Sequence, residues 1–306
     1  MDNNEKLNMT VDEAREQIIA YKERTGKSQS TIAGELGISG GQLSSFISGS
    51  YKTPHTLVPK IEALLKVAEK KEIAPKEPDF VETSVSRAVT NAIAYSHVQG
   101  KISVVYGDAG IGKTMAIRQY CKQNSLAISI TISPSYASMS GVNELIAAEL
   151  AVRERVSRKI YAEIIGKLKD SGRVLIIDEA QHLTVRTLNH LRCMADESGV
   201  GIAFVGNDEV YTKLKGSGRA DFAQLFSRIG TRKQVLTSTL TKDDVKAVFS
   251  NVEDPEAQQL LYKISRTNYG LRGAVNVFVN TAAVYKKIEP AGLARMIKEM
   301  NIDGIR

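Results

Sequence analysis

Apolar residues along this chain follow three successive rhythms. Up to about residue 71 they recur every three to four positions, the spacing of amphipathic helices. Ala74-Pro75-Lys76-Glu77-Pro78-Asp79 then breaks the pattern with prolines and charges, the composition of a linker. From residue 80 to about 236, short apolar runs of strand length alternate with helical segments, which predicts a parallel sheet with helices packed on it. Residues 102–106, 173–177 and 201–205 read as strands, and Ile128, Ile130 and Ile132 alternate with polar neighbours in the same way. Beyond 241 the helical rhythm returns, with helices expected over 243–250, 255–266 and 271–287. The chain is therefore expected to divide into an all-helical segment 1–73, a linker 74–80, an α/β core 81–237 and a helical domain 238–306, without internal repeats.

In the first segment, residues 29–48 have helix-turn-helix spacing. Ile32, Ala33 and Leu36 supply one apolar face, Gly37 allows the turn, and Ile38, Leu43 and Phe46 pack the second helix back. This resembles the phage-repressor type; a small helical bundle for protein contact would carry the same pattern. The second helix offers Gly40, Gly41, Gln42, Ser44, Ser45 and Ser48 but no Arg or Lys. Gln42 is its candidate base reader, through adenine, so any DNA contact here is expected to be auxiliary and weakly selective.

The strand at 102–106 runs into Gly107-Asp108-Ala109-Gly110-Ile111-Gly112-Lys113-Thr114, followed by a helix-compatible stretch at 115–122. A glycine-rich turn between strand and helix lets backbone N–H groups converge on a phosphate at a helix N-terminus. In that setting Lys113 bridges the β- and γ-phosphates and Thr114 places its hydroxyl on Mg2+. The strand at 173–177 ends in Asp178-Glu179-Ala180. Asp178 is the expected holder of Mg2+ and Glu179 the residue that orients or deprotonates the attacking water. Taken alone, such an acidic pair is as well explained by a helix N-cap and its first-turn charge; the complete phosphate loop upstream decides for catalysis.

Charge adds a second theme. The net charge of +7 has the sign of a nucleic-acid binder, and its distribution is more telling than its size. Residues 153–173 hold seven basic and three acidic side chains, with Arg153, Arg155, Arg158 and Lys159 concentrated at the start. These four are the candidate DNA contacts; a solvated helix face with internal ion pairs is the competing explanation. Cys121 and Cys193 form no disulfide framework or metal spacing, and the polar start resembles no signal peptide. The longest uncharged stretch, 123–143, is broken by Ser129, Thr131, Ser133 and Pro134, so no membrane span is expected. A cytoplasmic location follows as the expectation.

Past the acidic strand, Val205-Gly206-Asn207 ends another strand, Phe226-Ser227-Arg228-Ile229 follows a leucine, and Gly270-Leu271-Arg272 lies in the helical tail. The order of these segments resembles the AAA+ class, an α/β P-loop ATPase core with flanking helices and a helical lid, here preceded by an all-α helix-turn-helix domain. That resemblance implies that Asn207 helps position water, Arg228 acts as a finger on a neighbouring subunit's ATP, and Arg272 reports the γ-phosphate to the lid. Arg232 competes for the finger role, Asn207 would also serve as a turn residue, and Arg272 as a surface charge.

Further short matches, Ile38-Ser39-Gly40-Gly41-Gln42-Leu43, Phe80-Val81-Glu82-Thr83 and Ile130-Thr131-Ile132-Ser133-Pro134-Ser135, extend the likeness over nearly the whole length. Together they resemble the MuB-type target-capture ATPases of Mu-like transposable phages. Such a resemblance implies a phage- or prophage-encoded, ATP- and Mg2+-dependent protein of the bacterial cytoplasm. It implies largely sequence-independent binding to double-stranded DNA, ATP-dependent self-association into a helical filament, and delivery of target DNA to a DDE-type, MuA-like transposase. Two other functions remain open at this point: an ATP-switched helix-turn-helix regulator, and an AAA+ loader or scaffold acting on protein partners.

Overall fold

The computed structural model describes residues 9–215 and 226–305 of the chain. Leu225, which precedes the Phe226-Ser227-Arg228 segment, lies outside the described residues. Two compact units emerge, Met1–Pro75 and Lys76–Arg306.

The first unit is helical: α1 (Val11–Thr25), α2 (Gln29–Glu35), α3 (Gly40–Ile47) and α4 (Val58–Ile73). Side-chain oxygens of Thr10, Ser28 and Ser39 accept first-turn N–H groups of α1, α2 and α3, which fixes where each helix starts. Gly37, in the left-handed region at φ +64°, makes the turn between α2 and α3. Ile32, Leu43 and Phe46 from those two helices bury against Ala14 and Ile18 of α1 and Ile61 of α4.

In the second unit α5 (Ser84–Gln99) leads into β1 (Ile102–Gly107), α6 (Lys113–Gln123), β2 (Ala127–Thr131), α7 (Met139–Glu149) and α8 (Ser157–Leu168). There follow β3 (Val174–Asp178), α9 (Val185–Ser198), β4 (Gly201–Val205), α10 (Asp208–Lys215) and β5 (Ile229–Val235). All strand pairs are parallel, in the order β2-β3-β4-β1-β5. The two-residue alternation of strands then sorts side chains to opposite faces. Leu175 and Ile177 of β3 join Ile202 and Phe204 of β4 beneath α7 to α10, while Val174 and Ile176 join Ala203 and Val205 beneath α5 and α6.

After β5 a short turn, Thr237–Thr239, leads to the helical lid: α11 (Lys242–Val248), α12 (Pro255–Ser265), α13 (Gly270–Tyr285) and α14 (Pro290–Glu299). Val245, Phe249, Leu261, Val277 and Leu293 give it a core of its own. Three of these helices lie within about two residues of the expected 243–250, 255–266 and 271–287. β5 has no counterpart among the expected strands. It is an edge strand with Arg232, Lys233 and Gln234 exposed in a row, so it lacks the apolar run that marks a buried strand.

Candidate active site

The ends of β1, β3 and β4 and the start of α13 converge on one cavity. β1 must first meet β5 closely. A Cβ on Gly107, which has φ +137°, would lie 1.8 Å from the Val235 carbonyl oxygen, so only glycine fits there. Gly110 and Gly112, at φ +70° and +101°, carry the loop round to α6, while Ile111 anchors it in the core. α6 has no side-chain cap, which leaves its first-turn N–H groups for an anion.

Lys113 folds back over this loop and donates from Nζ to the carbonyls of Gly107 (3.0 Å) and Asp108 (2.5 Å). Burial pulls its pKa below the usual lysine range, against the opposing pull of Glu179, Asp178 and Asp108. At the end of β3, Asp178 accepts from Thr114 Oγ1 (2.8 Å) and, on its other oxygen, from the Glu179 N–H (2.9 Å). Burial nevertheless pushes the Asp178 carboxyl above its ordinary range. A half-buried hydroxyl beside a buried carboxylate whose charge burial disfavours suits a small hard cation, so Thr114 and Asp178 fit Mg2+.

Glu179 has left-handed backbone at φ +54°. Its carboxylate accepts from Gln181 Nε2, and Gln181 Oε1 in turn accepts the Asn207 N–H (3.3 Å). Gln181 thus ties the end of β3 to the end of β4. Gly206 makes room for it, since a Cβ there would stand 2.4 Å from Gln181 Oε1. Asn207 Oδ1 accepts the Glu209 N–H (3.0 Å) at the start of α10, so the turn role and a place at the cavity coexist in one residue.

The lid closes the remaining side. Gly270 (φ +63°) packs where a Cβ would be 2.9 Å from the Ala109 and Gly110 carbonyl oxygens, and the Arg272 N–H donates to Gly110 O (2.8 Å). The resulting cavity, about 410 Å3, is lined by Lys113, Thr114, Glu179, Asn207, Arg272 and Asn276. An adjoining recess of about 100 Å3 has apolar walls from Phe80, Val81, Met115, Leu271 and Val275, and Glu77, Asp79, Thr83 and Ser86 also line it.

Other expected site residues lie elsewhere. Arg228, just before β5, places Nε 3.5 Å from Asp196 Oδ1 with its side chain 59% exposed. Its competitor Arg232 lies 4.6 Å over the Phe226 ring. Arg153 and Arg155 occupy the loop after α7, and Arg158 and Lys159 the first turn of α8, all exposed. Gln42 accepts the Ser39 N–H on Oε1 (2.9 Å), so its acceptor is committed to capping α3. Gln181, which links Glu179 to Asn207, and the recess beside the cavity are features of the site that sequence reasoning misses. No spacing rule marks a glutamine two residues after Glu179, and Phe80-Val81 carries a family likeness without a chemical role.

Comparison with known proteins agrees with this geometry. Residues 97–214 match the AAA domain family. The chain is 34% identical over 256 residues to the Mu-like prophage FluMu DNA transposition protein B of Haemophilus influenzae, covering 80% of this chain and 88% of that protein. It is 31% identical over 287 residues to the ATP-dependent target DNA activator B of Escherichia phage Mu, covering 89% and 90%. Among solved structures, the fold is similar to Cdc6p from Pyrobaculum aerophilum, with a TM-score of 0.55 at 16% identity over 76% of this chain and 70% of that one. ATP and Mg2+ are the ligands that go with such a domain, and ATP hydrolysis is its reaction. The chain belongs to the transposition protein B family of Mu-like phages.

Proposed function

We propose that this ATPase binds double-stranded DNA with little sequence preference, assembles on it as an ATP-dependent helical filament, and delivers it to a MuA-like DDE transposase. The observation that carries the reading is the convergence of Lys113, Thr114, Glu179, Asn207 and Arg272 on one cavity, in a relative of the target DNA activator of phage Mu. Thr114 and Asp178 would hold Mg2+, which would supply neutralisation of phosphate charge. Lys113 neutralises phosphate charge from within the loop, and Glu179, steadied by Gln181, takes a proton from the attacking water. With the Asn207 oxygen committed to α10, its amide group is the part left to hold that water. Arg272 joins the lid to the γ-phosphate end. Arg228 is exposed on the surface and, among the described residues, pairs with Asp196, a carboxylate that Arg192 also holds, an arrangement that suits a finger offered to a neighbouring subunit.

DNA contact is assigned to Arg153, Arg155, Arg158 and Lys159. Glu154 turns its carboxylate onto the Arg155 and Val156 N–H groups (2.8 and 3.2 Å), and of the four cations here, among the described residues, Lys159 comes near it, at 3.9 Å. Three guanidinium groups are thereby left to phosphates, and a filament repeats them along the duplex. The regulator alternative is not favoured, because α3 presents no cation and commits the Gln42 acceptor to its own backbone.

Electron microscopy of the protein with ATP and unrelated duplexes tests this reading. Filaments that need both ATP and Lys113 are expected on every duplex, and failure to bind any duplex in the presence of ATP would overturn it.

A further inference from the structure

Asp108 is an anomaly within the phosphate loop. A carboxylate there adds negative charge where a polyanion must bind, and the fold turns it away. Asp108 Oδ2 accepts the backbone N–H of Thr237 at 2.6 Å, across 129 positions of sequence. Thr237 opens the short turn, Thr237–Thr239, between β5 and the lid. Asp108 makes two further bonds through its backbone: its N–H donates to Val235 O at 3.1 Å, and its carbonyl accepts from Lys113 Nζ at 2.5 Å. From the lid side, Arg266, at the end of α12, donates Nη1 to Ser238 O (2.9 Å) and Leu240 O (3.0 Å). The turn is therefore gripped by the phosphate loop through Asp108 and by the lid through Arg266.

We propose that Asp108 is a positioning residue that couples Lys113 to the lid hinge: the lysine bonds its carbonyl, and its carboxylate bonds the hinge amide. This rests on the ATP reading of the cavity. A γ-phosphate competes with the Asp108 carbonyl for the lysine's protons. The peptide freed of that bond belongs to the residue whose side chain holds Thr237, so occupancy of the loop is felt at residues 236–241 without any contact between nucleotide and hinge. The Gly110–Arg272 bond reaches α13 and itself touches none of residues 236–241.

The test is hydrogen exchange of the hinge amides in the full-length protein, with and without Mg2+ and the non-hydrolysable analogue AMP-PNP, alongside affinity from fluorescence titration. In the wild type the analogue is expected to speed exchange at 236–241 by about tenfold, because the peptide that holds Thr237 loses its bond to Lys113. In Asp108→Ala the analogue still binds, but the hinge response falls below about threefold. Asp108→Asn keeps an oxygen acceptor for the Thr237 N–H and restores the response, with binding tightened about threefold by loss of the charge. Thr237→Pro removes the donor instead of the acceptor at the first position of the turn, where proline is tolerated, and should reproduce Asp108→Ala. A wild type that does not bind the analogue overturns the ATP reading and this inference together. Normal binding with an undiminished hinge response in both Asp108→Ala and Thr237→Pro overturns this inference alone. A purely structural role would lower the melting temperature of both variants and leave the nucleotide-induced difference intact.

Discussion

Asp178 sits where its own charge is disfavoured. Its folded pKa is raised by burial, so the native state holds its proton to higher pH than the unfolded chain does. The stability this contributes is present at low pH and is lost as pH rises from the unfolded value through the folded one. At neutral pH the ligand-free protein therefore carries a net cost, since burial outweighs the Thr114 and Glu179 hydrogen bonds and the nearby Lys113. Asp178→Asn should remove it: the amide oxygen stays on the Glu179 N–H, and the Thr114 hydroxyl turns to accept from the new NH2 group. We expect the ligand-free variant to be more stable by about 1 kcal/mol, read as a higher melting temperature, while Mg2+-dependent hydrolysis is lost. A lower melting temperature would argue that the carboxylate is well paired without metal. Glu179 differs, since its role is in the transition state. Glu179→Gln should bind ATP yet turn over about 10²- to 10⁴-fold more slowly, and its DNA complexes should persist. Wild-type turnover in this variant would remove Glu179 from catalysis.

Besides the backbone contacts of Gly270 and Arg272, single side chains join the lid to the core, and Asp244 is the clearest. It sits in the first turn of α11, accepts the Thr241 N–H (2.8 Å) on one oxygen and the Ser84 N–H (2.8 Å) on the other, and so closes one helix start while bracing another. Burial opposes its charge, but these hydrogen bonds together outweigh it and hold its pKa below the usual carboxylate range. A depressed folded pKa contributes stability above the unfolded value that is lost as pH falls through the folded one. Asp244→Asn turns one acceptor into a donor facing an N–H, at a cost of about 1–3 kcal/mol near pH 7. The gap from wild type should narrow in acid, measured by urea unfolding, and a gap that ignores pH would count against the charged form. This bond also marks the limit of what was legible in the sequence. The buried strands declare themselves as apolar runs, and Lys113, Thr114, Asp178 and Glu179 follow from loop and strand context. Asp244 with Ser84, Asp108 with Thr237 and Gln181 with Asn207 pair side chains and backbone across long or irregular separations, which no local spacing encodes. β5 is hidden for another reason: its exposed cations protect an edge and mask the strand.

Across the whole molecule, DNA binding should follow the ATPase unit. Replacing Arg153, Arg155, Arg158 and Lys159 by alanine is expected to weaken ATP-dependent binding alike on unrelated duplexes. It should also flatten the salt dependence, by about 0.9 in log–log slope for each phosphate no longer neutralised. Deleting residues 1–75 should cost less; abolished binding after deletion beside normal binding by the fourfold variant would make the helical unit the main DNA site. Arg228→Ala should retain ATP but lose hydrolysis, and mixing it with Lys113→Ala subunits should recover activity at mixed interfaces if the arginine acts in trans. Co-assembly without recovery would rule that out. The strand order adds a constraint that begins before the protein is complete. Among the described residues β1, which carries the phosphate loop, pairs with β4 and β5 alone, so during synthesis it waits without a partner until residues 201–205 have left the ribosome. The lid surface against the loop arrives later still, with Gly270 and Arg272. A nascent chain shorter than this exposes an apolar strand and a phosphate loop that cannot yet close, which makes this stretch of translation its most aggregation-prone interval and ATP a ligand that rewards only the finished chain.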